Sequence, residues 1–128
     1  MFFSALLAAV CFNLAVASAS SWSTAELPYV HDGPIPGRYI QAHGHVNGAG
    51  PKKRRITVTL RQYYGGNWHG VGSKTGSGSG SLDTMAYVFC TKPYTNYSWS
   101  TETDSWTLGP TGWISDGVSY SRVVMLAC

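Results

Sequence analysis

Hydrophobic and polar residues alternate singly through much of the chain. Across Arg38–Asn47 (RYIQAHGHVN), Ile40, Ala42, Gly44 and Val46 share one side, while Tyr39, Gln41, His43 and His45 share the other. A period of two belongs to a strand with one buried face, so the first set predicts core and the second an outward face. Arg55–Tyr64 (RITVTLRQYY) repeats the pattern, with Ile56, Val58 and Leu60 inward and Thr57, Thr59 and Arg61 outward. Its β-branched residues suit a pleated surface. Gly65-Gly66 predicts a tight turn into Asn67–Ser73, and hence a hairpin. Thr84–Thr91 (TMAYVFCT) reads as a buried strand, apolar on both faces. Tyr97–Thr101 and Ser105–Leu108 read as short strands, and Val118–Cys128, entered through Asp116-Gly117, as the last one. NGAGPKKRR and SKTGSGSGS read as loops, the second flexible and without residues to pack. Beyond the first 19 residues no window shows the i, i+3, i+4, i+7 stripe of a helix. About seven short strands with Gly-rich turns predict an all-β, antiparallel β-sandwich of immunoglobulin-like architecture.

The opening MFFSALLAAVCFNLAVASA breaks this pattern, being apolar and then rich in small residues. It predicts a secretory signal peptide over residues 1–19, with small-x-small cleavage sites after Ala17 and after Ala19. The apolar run falls short of the roughly 20 residues that a membrane-crossing helix needs, and no later segment is long and apolar enough. Residues 20–37, with Pro28, Pro34, Pro36, Gly33 and Gly37, read as an extended polar arm. Residues 38–128 then form the domain.

Cysteine usage agrees with export. Cys11 would leave with the leader, and the remaining pair, Cys90 and Cys128, predicts one disulfide in an oxidising compartment. Closing that 38-residue separation stabilises a small domain by roughly 3–4 kcal/mol in the chain-entropy model. Charge changes the picture less. Charged residues make up 12% of the chain, the net charge is +3, and Lys52-Lys53-Arg54-Arg55 holds four of the nine basic residues. Without that run the chain is about neutral, so no global field argues for a nucleic-acid partner.

Several of these features coincide: a leader, Arg-Ile-Thr-Val-Thr-Leu at 55–60, Asn-Trp at 67–68 and a Gly/Ser loop, then a strand ending in Cys90, a Tyr/Trp-rich middle and a last strand ending in Cys128. Together they resemble the small secreted β-sandwich proteins of actinobacteria. The resemblance covers residues 38–128 and implies an extracellular, non-enzymatic module. The chain departs from the pattern in lacking the cysteines for a second disulfide.

Three sets of side chains could carry chemistry. His43 and His45, one residue apart on a strand, could offer two imidazoles to zinc or copper. A third ligand would have to come from His69 across the turn, or from His31 or Asp32 in the arm. Without it the pair is simply part of a polar strand face. Trp68, Tyr97, Trp99, Trp106 and Trp113 could stack on sugar rings or fill the core. Lys52, Lys53, Arg54 and Arg55 form either a solvated loop or a contact with an anionic surface. Asn96-Tyr97-Ser98 is an N-glycosylation sequon. The carboxylates Asp83, Glu102, Asp104 and Asp116 lie in turn-like segments, and no G-x-S-x-G elbow is present. The expectation is therefore a secreted, monomeric, non-catalytic protein that binds a partner or associates with the cell envelope. The sequence does not name that partner; a cell-wall polymer or an extracellular polysaccharide is one that would fit. A carbohydrate-binding module and a zinc or copper protein using His43, His45 and His69 are the alternatives.

Overall fold

A strand with one apolar face needs a second such face against it, and the chain meets that need with two antiparallel sheets packed through their apolar sides. The computed structural model describes residues 21–32, 37–48 and 50–128, so the expected leader lies outside the described residues. Nine strands run among those described: β1 (Ser21–Ala25), β2 (Tyr29–His31), β3 (Tyr39–Gly48), β4 (Lys53–Tyr64), β5 (Asn67–Ser79), β6 (Leu82–Phe89), β7 (Asn96–Gly109), β8 (Gly112–Tyr120) and β9 (Val124–Ala127). In the first sheet β6 lies along one side of β3, and β1 and β2 share the other side in tandem. The second sheet has the order β5-β4-β7, with β8 and β9 in tandem on the far side of β7. Because β4 pairs with β7 across the intervening β5 and β6, the topology is not a simple meander.

The core follows the predicted inward faces. Ile40, Ala42 and Val46 of β3 meet Ile56, Val58 and Leu60 of β4, with Ala86 and Trp99 completing the cluster. Trp99 is 1% exposed and donates its indole N–H to the Leu126 carbonyl at 3.1 Å. It is therefore core and not a stacking platform, and Tyr97, on the same side of β7, packs against the same cluster. Gly44 keeps the alternation of β3 without a side chain. A Cβ there would lie 2.3 Å from the Thr103 hydroxyl and 2.4 Å from a Val58 methyl.

Four expectations change. Of the expected arm, residues 20–37, the described part is not merely extended, since β1 and β2 hydrogen-bond to β3 and cover its flank; residues 20 and 33–36 lie outside the described residues. The Gly/Ser stretch is the second half of β5, paired in register with β4 from Lys53↔Ser79 to Val58↔Lys74. Its glycines point at the neighbouring strand of the other sheet. A Cβ on Gly72 would come within 2.7 Å of the Tyr87 carbonyl oxygen, one on Gly76 within 2.7 Å of Thr84, and one on Gly78 within 3.2 Å of Leu82. The two segments at 97–101 and 105–108 are one 14-residue strand, β7. The expected last strand divides into β8, bulged near Asp116-Gly117, and β9. The hairpin at Gly65-Gly66 forms as expected, with φ of 60° and 83°.

Cys90, following β6, is bonded to Cys128, following β9, so the disulfide ties the first sheet to the second. Along the seam between β1 and β8 the Ser119 hydroxyl donates to the Ser23 carbonyl at 2.7 Å. Among the described residues no helix is long and apolar enough to cross a membrane.

Candidate functional site

The outer face of the first sheet is built by register. β3 presents Tyr39, Gln41, His43 and His45, and the antiparallel pairing sets Phe89, Tyr87, Met85 and Asp83 of β6 beside them in that order. On the other flank β2 places Tyr29 beside Gln41 and His31 beside Tyr39. One end of the face is therefore aromatic and the other polar and ionisable.

At the aromatic end, Tyr39 packs edge-on to Tyr87 and Phe89, with ring centroids 5.9 and 5.8 Å apart, and stacks on His31 at 4.9 Å. Tyr87 and Phe89 are themselves edge-to-face at 5.5 Å. Tyr39, Gln41, Met85, Tyr87 and Phe89 line a shallow groove of about 180 Å³. Met85, Tyr87 and Phe89 are each more than half exposed (53%, 55% and 51%). A contiguous exposed apolar surface of this kind is a feature of binding sites, whereas single exposed apolar residues are ordinary. TMAYVFCT was expected to be buried on both faces. Only Ala86 is fully buried, because β6 is an outer strand of its sheet with solvent over one side.

At the polar end, His43 Nδ1 lies 2.5 Å from the Glu26 carboxylate and its Nε2 3.8 Å from Asp83. His45 Nδ1 lies 2.5 Å from Asp83, and its Nε2 2.7 Å from the Asn47 side-chain oxygen. Hydrogen bonds to Asn47 and then to Asp83 hold the His45 pKa above its ordinary value, against a smaller opposing effect of burial. His69 does not join this pair. It lies on β5 in the second sheet, stacked on Tyr64 at 3.8 Å with Nε2 donating to the Tyr64 carbonyl. His31 and Asp32 are not ligands to the pair either, for Asp32 pairs with Arg38 at 3.3 Å. Among the described residues no group of three or more His, Cys, Asp or Glu could hold a metal ion.

The outer face of the second sheet gathers most of the remaining candidates around two arginines. Arg55 lies over the rings of both Trp106 and Trp113, at 4.6 and 4.7 Å. Arg61 lies over Trp68 and Tyr120, at 4.8 and 4.9 Å, and 3.9 Å from Glu102. Burial first, and then a hydrogen bond with Asp104, push the Glu102 pKa up. Trp68 also packs edge-on to Tyr63. The basic run does not make one patch. Lys52 and Lys53 are exposed, but Arg54 is 1% exposed, its guanidinium against Gly48 and one N–H donated to the Lys52 carbonyl at 3.3 Å. Strand alternation then sends Arg55 to the outer face.

No family model matches the sequence, and no curated protein matches it. Among solved structures, the solution structure of a candidate late embryogenesis abundant (LEA) protein is similar over 94% of this chain and 78% of its own, at 11% identity and a TM-score of 0.47.

Proposed function

We propose that the chain is a secreted, non-catalytic glycan-binding module that receives a cell-wall or extracellular polysaccharide on the outer face of its first sheet. The observation that carries this reading is the exposed cluster of Tyr39, Tyr87, Phe89 and Met85 around a groove with Gln41 in its lining. Sugar rings offer C–H faces that suit aromatic surfaces, and hydroxyls that suit an amide, phenols and imidazoles at the rim. Gln41 and the phenols of Tyr39 and Tyr87 line the groove, and His43 and His31 flank it. Export is supported by the leader pattern, by the disulfide and by the resemblance to secreted actinobacterial sandwiches.

The test is titration of the mature chain with soluble β-glucan, xylan and mannan, followed by calorimetry. At least one polymer should bind, and Tyr87→Ala and Phe89→Ala should each weaken it about fivefold or more, since one aromatic contact is worth roughly 0.5–1.5 kcal/mol. Absence of binding to all three, or variants that bind like the parent, would refute the reading.

A further inference from the structure

Arg55 differs from the other arginines set against the sheets. Arg38 donates to Asp32 and to the Ala127 carbonyl, Arg54 to the Lys52 carbonyl, and Arg61 lies beside Glu102. Among the described residues the contacts of Arg55 are with rings, those of Trp106 and Trp113. Contact with rings answers none of a guanidinium's five N–H donors with an oxygen acceptor. Among the described residues the Arg55 side chain makes no hydrogen bond or ion pair, so its donors remain for a ligand.

We propose that Arg55, Trp106 and Trp113 form a second binding site, for an acidic sugar, on the face of the molecule opposite the aromatic groove. The guanidinium would take the sugar's carboxylate or sulfate through paired N–H donors, and the half-buried indoles would support the ring beside it. Lys53, exposed and two residues earlier on the same side of β4, adds positive charge. Leu108, 43% exposed and paired with Trp113, widens the apolar floor. Asp104 stands next along the same side of β7, and among the described residues no ion pair joins it to Arg55. Asp104 and Glu102 also decide the kind of ligand. An extended anionic surface such as a lipid bilayer would press against them, whereas a single acidic sugar chain is narrow enough to lie along Arg55, Trp106 and Trp113 and clear of them.

The experiment compares polygalacturonate, its fully methyl-esterified form, dextran sulfate and phosphatidylglycerol vesicles, using the parent chain, Arg55→Lys, Arg55→Met and Tyr87→Ala. Polygalacturonate or dextran sulfate should bind, with affinity falling as salt rises, and whichever binds more tightly tells carboxylate from sulfate. The methyl ester should bind at least tenfold more weakly than the acid. Arg55→Met should lose tenfold or more, and Arg55→Lys, which keeps the charge without the planar fork, should lie between. Tyr87→Ala should bind the acidic polymers normally, so this site stands or falls apart from the groove on the other sheet. Melting temperatures of the variants identify any loss caused by unfolding, and Arg55→Lys then carries the comparison. The proposal is overturned if neither acidic polymer binds, if the methyl ester binds as well as the acid, if both Arg55 variants bind like the parent, or if the vesicles bind in preference to the polymers.

Discussion

His45 shows how one side chain can make the fold depend on pH. Both its ring nitrogens face acceptors, Asp83 on one side and Asn47 on the other. A neutral imidazole has a single N–H and satisfies only one of them, so the protonated ring is favoured. The folded pKa is accordingly raised above 6.5. A raised histidine pKa contributes stability that is fully present below the unfolded value, about 6.5, and is lost as pH rises through the folded value. Melting temperature should therefore fall as pH rises from below about 6.5 through the raised folded value, and Asp83→Asn should flatten that fall by lowering the acid end. A variant whose melting curve shifts with pH as much as the parent's would refute the assignment. The outward placement of His43 and His45 was legible from alternation alone. Their carboxylate partners were not, because Glu26 and Asp83 come from segments that only strand pairing brings alongside.

Among the elements, β3 and β4 declare themselves because their inward residues are large and apolar, whereas β5 does not. Its second half has almost no hydrophobic residues, yet Gly72, Gly76 and Gly78 share one parity, interrupted by Lys74, an alternation written largely in absent side chains. Each faces β6, where a Cβ on Gly72 or Gly76 would collide and one on Gly78 would press on the Leu82 side chain. Gly72→Ala should destabilise by about 1–3 kcal/mol, the usual cost of overpacking, since the obstacle is the Tyr87 backbone and cannot rotate away. Ser77→Ala, on the exposed side of the same strand, should change little. Denaturant midpoints measure both, and equal effects would sink the argument. β1 and β2 escaped notice for a different reason: five and three residues are too few to establish a period. The aromatic groove was hidden by a related ambiguity. An apolar run such as TMAYVFCT looks the same whether both its faces are buried or one is left exposed to a ligand. Only the position of β6 beside β3 separates the two, and it places Met85, Tyr87 and Phe89 in the open.

The molecule as a whole is two sheets joined at both seams. Glycine contacts between β5 and β6 close one, and Ser23 with Ser119 the other. The disulfide adds a covalent tie between the sheets across a separation of 38 residues. Cys90→Ser with Cys128→Ser should cost roughly 3–4 kcal/mol, most of it through a freer unfolded chain. Chemical denaturation of the parent with and without reductant provides an independent measurement. A midpoint unaffected by either treatment would contradict the expected stabilisation. The same bond also sets a mechanical route through the protein. A four-residue strand such as β9 is ordinarily the first to peel when its end is pulled. Force entering at Cys128 passes instead through the sulfurs into Cys90 and the end of β6. There β6 is held to β3 along eight residue pairs against the four that hold β9 to β7, so the longer ladder shares the load.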